Sequence, residues 1–109
     1  MHELAIAESL VDTVCERAAG RRVHRVTVRI GALTAVVPQA MRFCFDLAVE
    51  GTVAAGAELA IERRAGAARC RECGAELELA DAILLCPCGS ADLVVTAGRE
   101  LQIVSLEVG

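Results

Sequence analysis

Tryptophan and tyrosine are absent from this 109-residue chain, and Phe43 and Phe45 are its only aromatic residues. A nucleic-acid-binding surface needs a basic face and often aromatic side chains on which bases stack. Here the formal charge is −4 and the isoelectric point about 5.1. The pairs Arg21-Arg22 and Arg63-Arg64 are too few to reverse that balance, which excludes nucleic acid as a partner. Although 55% of residues are hydrophobic, much of that is alanine, and no apolar run approaches the roughly 20 residues that span a bilayer. A membrane span is therefore excluded. The start, Met1-His2-Glu3, lacks a basic segment followed by an apolar one, so the expected compartment is the cytoplasm. No Ser/His/Asp set and no phosphate-binding loop occurs, so nucleotide hydrolysis would have to come from another protein, and the chain is expected to be non-enzymatic. Internal repeats and low-complexity segments are also lacking.

What the chain does have is cysteine. Cys70-Arg71-Glu72-Cys73-Gly74 and, after twelve residues counted from Cys73, Cys86-Pro87-Cys88-Gly89 form two paired-thiolate loops, each followed by glycine. Four soft ligands at this spacing suit one tetrahedral Zn²⁺, with glycine permitting the tight turn beneath the metal. A closed four-thiolate site leaves no open position for substrate, so its role is a structural staple. Segments below about 40 residues seldom fold without such help. With Zn²⁺ bound, the site adds about −2 to the charge of the chain. Disulfides are the alternative use of six cysteines, and the absence of an export signal argues against them. Paired loops of this kind also hold iron in rubredoxin-like redox sites, and a zinc ribbon can act as a protein-interaction adaptor; both readings stand beside the staple.

The remaining pattern predicts an α+β fold. Leu4, Ala7, Val11, Val14 and Ala18 form a helical stripe over residues 3 to 19, with Gly20 as the stop. From Val23 to Ile30, Val26, Val28 and Ile30 alternate with Arg25, Thr27 and Arg29, a strand closed by Gly31. Pro38 is placed to open a second helix carrying Met41, Cys44, Phe45 and Ala48, ended by Gly51. Leu59 and Ile61 mark a second strand, and Leu101 to Val108 a third. The expected architecture is two helices packed on a small three-stranded sheet, with a zinc-ribbon or rubredoxin-knuckle-like module inserted. The division is 1–64 with 99–109 for the α/β domain and 65–98 for the zinc-binding domain. Ala65-Gly66-Ala67 and Ala97-Gly98 read as hinges, and Leu77 and Leu79 with Ile83 to Leu85 read as a hairpin linking the cysteine pairs.

The amino terminus also has chemical potential. A histidine at position 2 is too large for the usual removal of the initiator methionine, so the free amine stays one residue before the imidazole. The amine, the His2 amide nitrogen and an imidazole nitrogen can chelate Ni²⁺ or Cu²⁺ in a square plane, with a fourth donor from the Glu3 amide or carboxylate. Amides in the first turn of a helix have no intrahelical partner, so giving them to a metal breaks no helical bond. By itself, a histidine at position 2 is more often a mobile terminal residue. His24 reads as a packed or half-exposed strand residue in preference to a second nickel ligand. Cys15 and Cys44 read as space-fillers. The row Glu8, Asp12 and Glu16 reads as a solvated face, though it begins beside the nickel end and could meet a partner.

Several of these segments, in order, resemble the HypA/HybF family of nickel metallochaperones. They are Met-His-Glu-Leu-Ala-Ile-Ala-Glu-Ser-Leu at the start, Arg29-Ile30-Gly31-Ala32-Leu33 with Val37-Pro38 and Arg42-Phe43, the two cysteine pairs with Gly74 and Gly89-Ser90, and Gly98-Arg99-Glu100-Leu101. The resemblance covers essentially the whole chain. It implies maturation of [NiFe]-hydrogenase and, in some organisms, of urease. It further implies that His2 ligates nickel with the backbone nitrogens of Met1 and Glu3, and that Cys70, Cys73, Cys86 and Cys88 hold structural zinc. The partners it implies are a maturation GTPase, HypB-like, and a hydrogenase large-subunit precursor, with the chain itself a monomer or homodimer. One departure stands out: the family's second knuckle is usually Cys-Pro-x-Cys-Gly, whereas only Pro87 separates Cys86 from Cys88 here.

Overall fold

The computed structural model describes residues 2–109. Its elements follow the order α1 (Glu3–Ala18), β1 (Val23–Gly31), α2 (Pro38–Ala48), β2 (Glu58–Arg64), β3 (Gly66–Cys70), β4 (Glu76–Leu79), β5 (Leu93–Ala97) and β6 (Leu101–Val108). Two three-stranded sheets form, in the orders β2-β1-β6 and β4-β3-β5. The α+β class expected from the sequence is the one observed. Two compact units are distinguished, Met1–Val28 with Val36–Glu62 and Gln102–Gly109, and Arg29–Ala35 with Arg63–Leu101.

In the first unit α1 and α2 pack on one another. The core is built by Ala7, Val11 and Val14 of α1, Val26 and Val28 of β1, and Met41 and Phe45 of α2, all buried. Helix α1 stops where Ala19 and then Gly20 take left-handed backbone angles, φ 51° and 85°, a conformation that glycine adopts without a steric penalty. Leu4, expected in the buried stripe, is 46% exposed, and Leu10 is buried instead. The two lie at opposite edges of the same apolar arc, whose centre the periodicity locates correctly. Pro38 opens α2 with Val37 as its N-cap, and Arg42 ties α2 to β2 by donating to the Leu59 carbonyl.

In the second unit β3 is the central strand, antiparallel to β4 and to β5. Two expectations are corrected here. Ile83 to Leu85 form no strand; β4 pairs with β3 instead, Gly66 opposite Leu79 and Ala68 opposite Leu77. Both edges of β3 are taken by β4 and β5, and the Ile83 N–H turns back to the Asp81 carboxylate at 2.9 Å instead of extending the sheet at the outer edge of β4. Of the small residues read as hinges, three are strand residues, and Gly66 and Gly98 stand at close approaches. Gly66 and Ala67 lie in β3 and Ala97 in β5. A Cβ on Gly66 would stand 2.7 Å from the Leu79 carbonyl oxygen and 2.9 Å from the Leu33 side chain, and one on Gly98 would stand 2.6 Å from Gly66 Cα. Leu33 is held there by its N–H, which donates to the Gly98 carbonyl at 2.8 Å. Residues 29–35 thus pack with the cysteine-bearing segment.

Candidate metal centre

Cys70 ends β3, and its carbonyl accepts the Gly74 N–H at 3.0 Å, closing a turn in which Gly74 has φ 75°. The second loop closes the same way with one residue fewer. The Gly89 N–H donates to the Cys86 carbonyl at 2.8 Å, and Gly89 has φ 94°. A further bond from the Cys86 N–H to the Ser90 carbonyl, 2.8 Å, fixes the base of that loop. The shortened knuckle therefore still folds back on itself and presents both sulfurs.

The four Sγ atoms lie within 4.8 Å of one another, with Cys70 to Cys88 at 3.7 Å and Cys73 to Cys86 at 3.6 Å. Four sulfurs placed tetrahedrally about 2.3 Å from one ion stand about 3.8 Å apart, so donor type and spacing fit a four-thiolate site. All six cysteines are free thiols. Cys70 and Cys86 are buried, whereas Cys73 and Cys88 face solvent. Amides aim at the sulfurs: the Cys73 N–H lies 3.5 Å from Cys70 Sγ, and, chiefly through it, the Cys70 thiol is lowered to about 6. The Cys88 amide likewise favours the Cys86 thiolate, but burial and the neighbouring sulfurs together outweigh it and push that thiol up to about 12. Cys88 is raised too, against the pull of the Ser90 amide and of Cys86, by burial and by Cys70 and Cys73. Crowded sulfurs resist joint deprotonation, because the first negative charge opposes the next; a divalent ion held among them would remove that opposition.

At the other candidate site, His2 is exposed and is the N-cap of α1, with φ −89° and ψ 67° and no side-chain capping bond. Its carbonyl accepts the Ile6 N–H at 3.1 Å, the first bond of the helix. Its imidazole is not used in capping the helix. Glu3 opens α1, and its carboxylate Oε2 accepts the Val37 N–H at 3.3 Å. Its own amide, followed by that of Val37, holds the Glu3 carboxyl below its ordinary range. Met1 lies outside the described residues. The contact between Glu3 and Val37 joins positions 34 apart and has no sequence signal beyond Pro38 marking a helix start. Elsewhere, His24 is exposed on β1 with its ring against Gly109, Cys15 and Cys44 are half-buried on α1 and α2, and Glu8, Asp12 and Glu16 are exposed.

A family model described as "Hydrogenase/urease nickel incorporation, metallochaperone, hypA" matches residues 1–108. The chain belongs to the HypA family. Among its relatives, the hydrogenase maturation factor HypA of Nostoc sp. is 45% identical over 108 residues, covering 99% of this chain and 96% of the relative. That of Geobacter metallireducens is 44% identical over 110 residues, covering 99% of each. The solution structure of the Ni metallochaperone HypA from Helicobacter pylori superposes with a TM-score of 0.71 at 27% identity, covering 99% of this chain and 97% of that one. HypA-family membership makes this chain a metallochaperone and not a catalytic enzyme.

Proposed function

We propose that this chain binds Ni(II) at its amino terminus and delivers it for the maturation of a [NiFe]-hydrogenase, while Cys70, Cys73, Cys86 and Cys88 hold a structural Zn(II). The observation that carries the reading is the family match over essentially the whole length. The exposed His2, with a ring that makes no cap bond, supports it locally. The nickel donors are the His2 imidazole and backbone nitrogens at Met1, His2 and Glu3, a set suited to square-planar Ni(II). The division of labour is a nickel-binding domain, 1–64 with 99–109, and a zinc-binding domain, 65–98.

The mechanism is ligand exchange. Nickel sits on a few residues around the exposed His2, so an acceptor can replace the donors one at a time without opening a core. The zinc site is the opposite, with four strong thiolate donors, two of them buried, which keeps its ion in place. A zinc ion held by Cys70, Cys73, Cys86 and Cys88 would let paired thiolates coexist; the chain's own work there is the two turns and the amides that hold the sulfurs. The partners are a HypB-like maturation GTPase and a hydrogenase large-subunit precursor, in the cytoplasm, with urease maturation as a second destination. The chain works as a monomer or a homodimer.

The test is calorimetric titration of nickel into zinc-analysed protein with its native amino terminus, beside His2→Ala. Uptake near one nickel per chain that disappears in the variant, with zinc at one per chain in both, is the expected result. Equal uptake by both proteins, or by neither, overturns the reading.

A further inference from the structure

Resting on the proposed zinc site, we infer that its two knuckles are unequal. Cys70 and Cys73 form the anchor, and Cys86 and Cys88 form the arm that opens first, the place where a thiol-reactive electrophile or a competing chelator enters. The first knuckle grows out of the sheet. Cys70 is the last residue of the central strand β3, where it stands opposite Leu93 of β5. Its N–H donates to the Ala75 carbonyl at 2.9 Å, and the Arg71 N–H donates to the Asp92 carbonyl at 3.0 Å, just before β5. The second knuckle belongs to no strand. It lies within residues 80–92, between β4 and β5, and follows Ile83 and Leu85, which are 69% and 57% exposed. The bonds that close it, Cys86 N–H to the Ser90 carbonyl and Gly89 N–H to the Cys86 carbonyl, are made inside the loop. A segment with local bonds and apolar side chains left in water opens at less cost than one continuous with a three-stranded sheet.

The amides of the two loops also differ in what they serve. Counting from the first cysteine of each pair, the second and third amides of the first knuckle, those of Glu72 and Cys73, both favour the Cys70 sulfur, the latter at 3.5 Å. In the second knuckle the Cys88 amide serves the Cys86 sulfur, but the third, that of Gly89, is spent on the Cys86 carbonyl at 2.8 Å. Pro87 has no N–H to offer. The missing residue thus diverts one amide from sulfur to carbonyl. Amide bonds stabilise a thiolate's charge and hold it in place for a metal, and outer bonds of this kind are worth about 10–100-fold in affinity.

The experiment uses the full-length, zinc-loaded protein with two readouts. The first is modification by substoichiometric N-ethylmaleimide, located by peptide mass spectrometry; the thiolate adds across the maleimide double bond and the adjacent carbon takes a proton from water. Burial is matched between the pairs, since Cys70 and Cys86 are buried and Cys73 and Cys88 exposed, so exposure alone predicts no preference for either knuckle. Among the four sulfurs, Cys86 and Cys88 are expected to react ahead of Cys70 and Cys73. The second readout is zinc transfer to a chromophoric chelator, for the parent and for a variant with one glycine inserted between Pro87 and Cys88. Restoring the family's usual loop length is expected to slow transfer by about tenfold, the lower end of what an outer bond contributes. Modification that begins at Cys70 or Cys73, or spreads evenly over both pairs, overturns the inference. So does a folded insertion variant that gives up zinc as fast as the parent. Should the insertion disturb folding, the mapping on the parent decides alone. Zinc content separates this inference from the reading beneath it. If the protein takes up no zinc, the four-thiolate site and the inference fall together; with one zinc per chain and equal knuckles, the site stands and only the inequality falls.

Discussion

At the scale of single residues, the four sulfurs are the most demanding feature. Each must be deprotonated to bind an ion, so acid competes with the metal. With the proposed zinc bound, the ion is expected to leave as pH falls, followed by a chromophoric zinc indicator, and Cys86→Ser is expected to release it at a higher pH than the parent. Glu3 and Glu100 add to the acid sensitivity. Glu100 is held below its ordinary value of 4.5, first by its own amide and then by the Gly98 N–H, which donates to it at 2.7 Å, with Arg64 3.8 Å away. A carboxyl with a depressed folded value stabilises the fold above its unfolded value, and that contribution fades as pH drops through the folded one. Stability should therefore decline below about pH 4.5, and Glu100→Gln should flatten that decline in a thermal-melt series. Gly98 is constrained differently, by φ 108° and by the Gly66 backbone a side chain would strike. Gly98→Ala is expected to cost about 1–3 kcal/mol, read by urea denaturation.

At the scale of elements, the two phenylalanines give the sharpest contrast. They stand two positions apart on α2, yet Phe45 is fully buried and Phe43 is 66% exposed. Phe45→Ala should cost about 3–5 kcal/mol by leaving a cavity; Phe43→Ala should stay within about 0.5 kcal/mol. Denaturant midpoints for the two variants check both figures. The same helix shows why so much of the fold was legible. Pro38, Met41 and Phe45 mark its start and its buried face by spacing alone, as Val26, Val28 and Ile30 do for β1. Legibility failed where partners were needed. Ile83 to Leu85 have the composition of a strand, but the Ile83 N–H is taken by the local turn at Asp81. Gly66 and Gly98 look like flexible punctuation, but their smallness answers to Leu33, which is remote in sequence. The cysteine cluster was legible because its spacing is itself the geometry, whereas the Glu3 to Val37 bond crosses 34 positions and leaves no periodic trace.

At the scale of the molecule, the apolar core is unequally shared. Large buried side chains are concentrated in the first unit, Met41 and Phe45 among them. The second buries few large ones, among them Ile30 and Leu79, together with Cys70 and Cys86. A small unit with so thin a core would gain much of its stability from an ion held by its four thiolates. Chelation of the metal is expected to abolish amide-exchange protection across β3, β4 and β5 while the inward faces of α1 and α2 keep theirs. Loss of protection in both units at once would show that the ion stabilises the whole chain.

The sulfur arrangement also sets what happens under oxidative stress. Two close approaches run between the loops, Cys70 to Cys88 at 3.7 Å and Cys73 to Cys86 at 3.6 Å, and each joins one buried sulfur to one exposed one. A peroxide that oxidises an exposed sulfur finds a buried sulfur of the opposite loop within reach. The first disulfides formed should therefore stitch the two knuckles together crosswise, converting a reversible metal clasp into a covalent one, with a connectivity that peptide mapping would reveal.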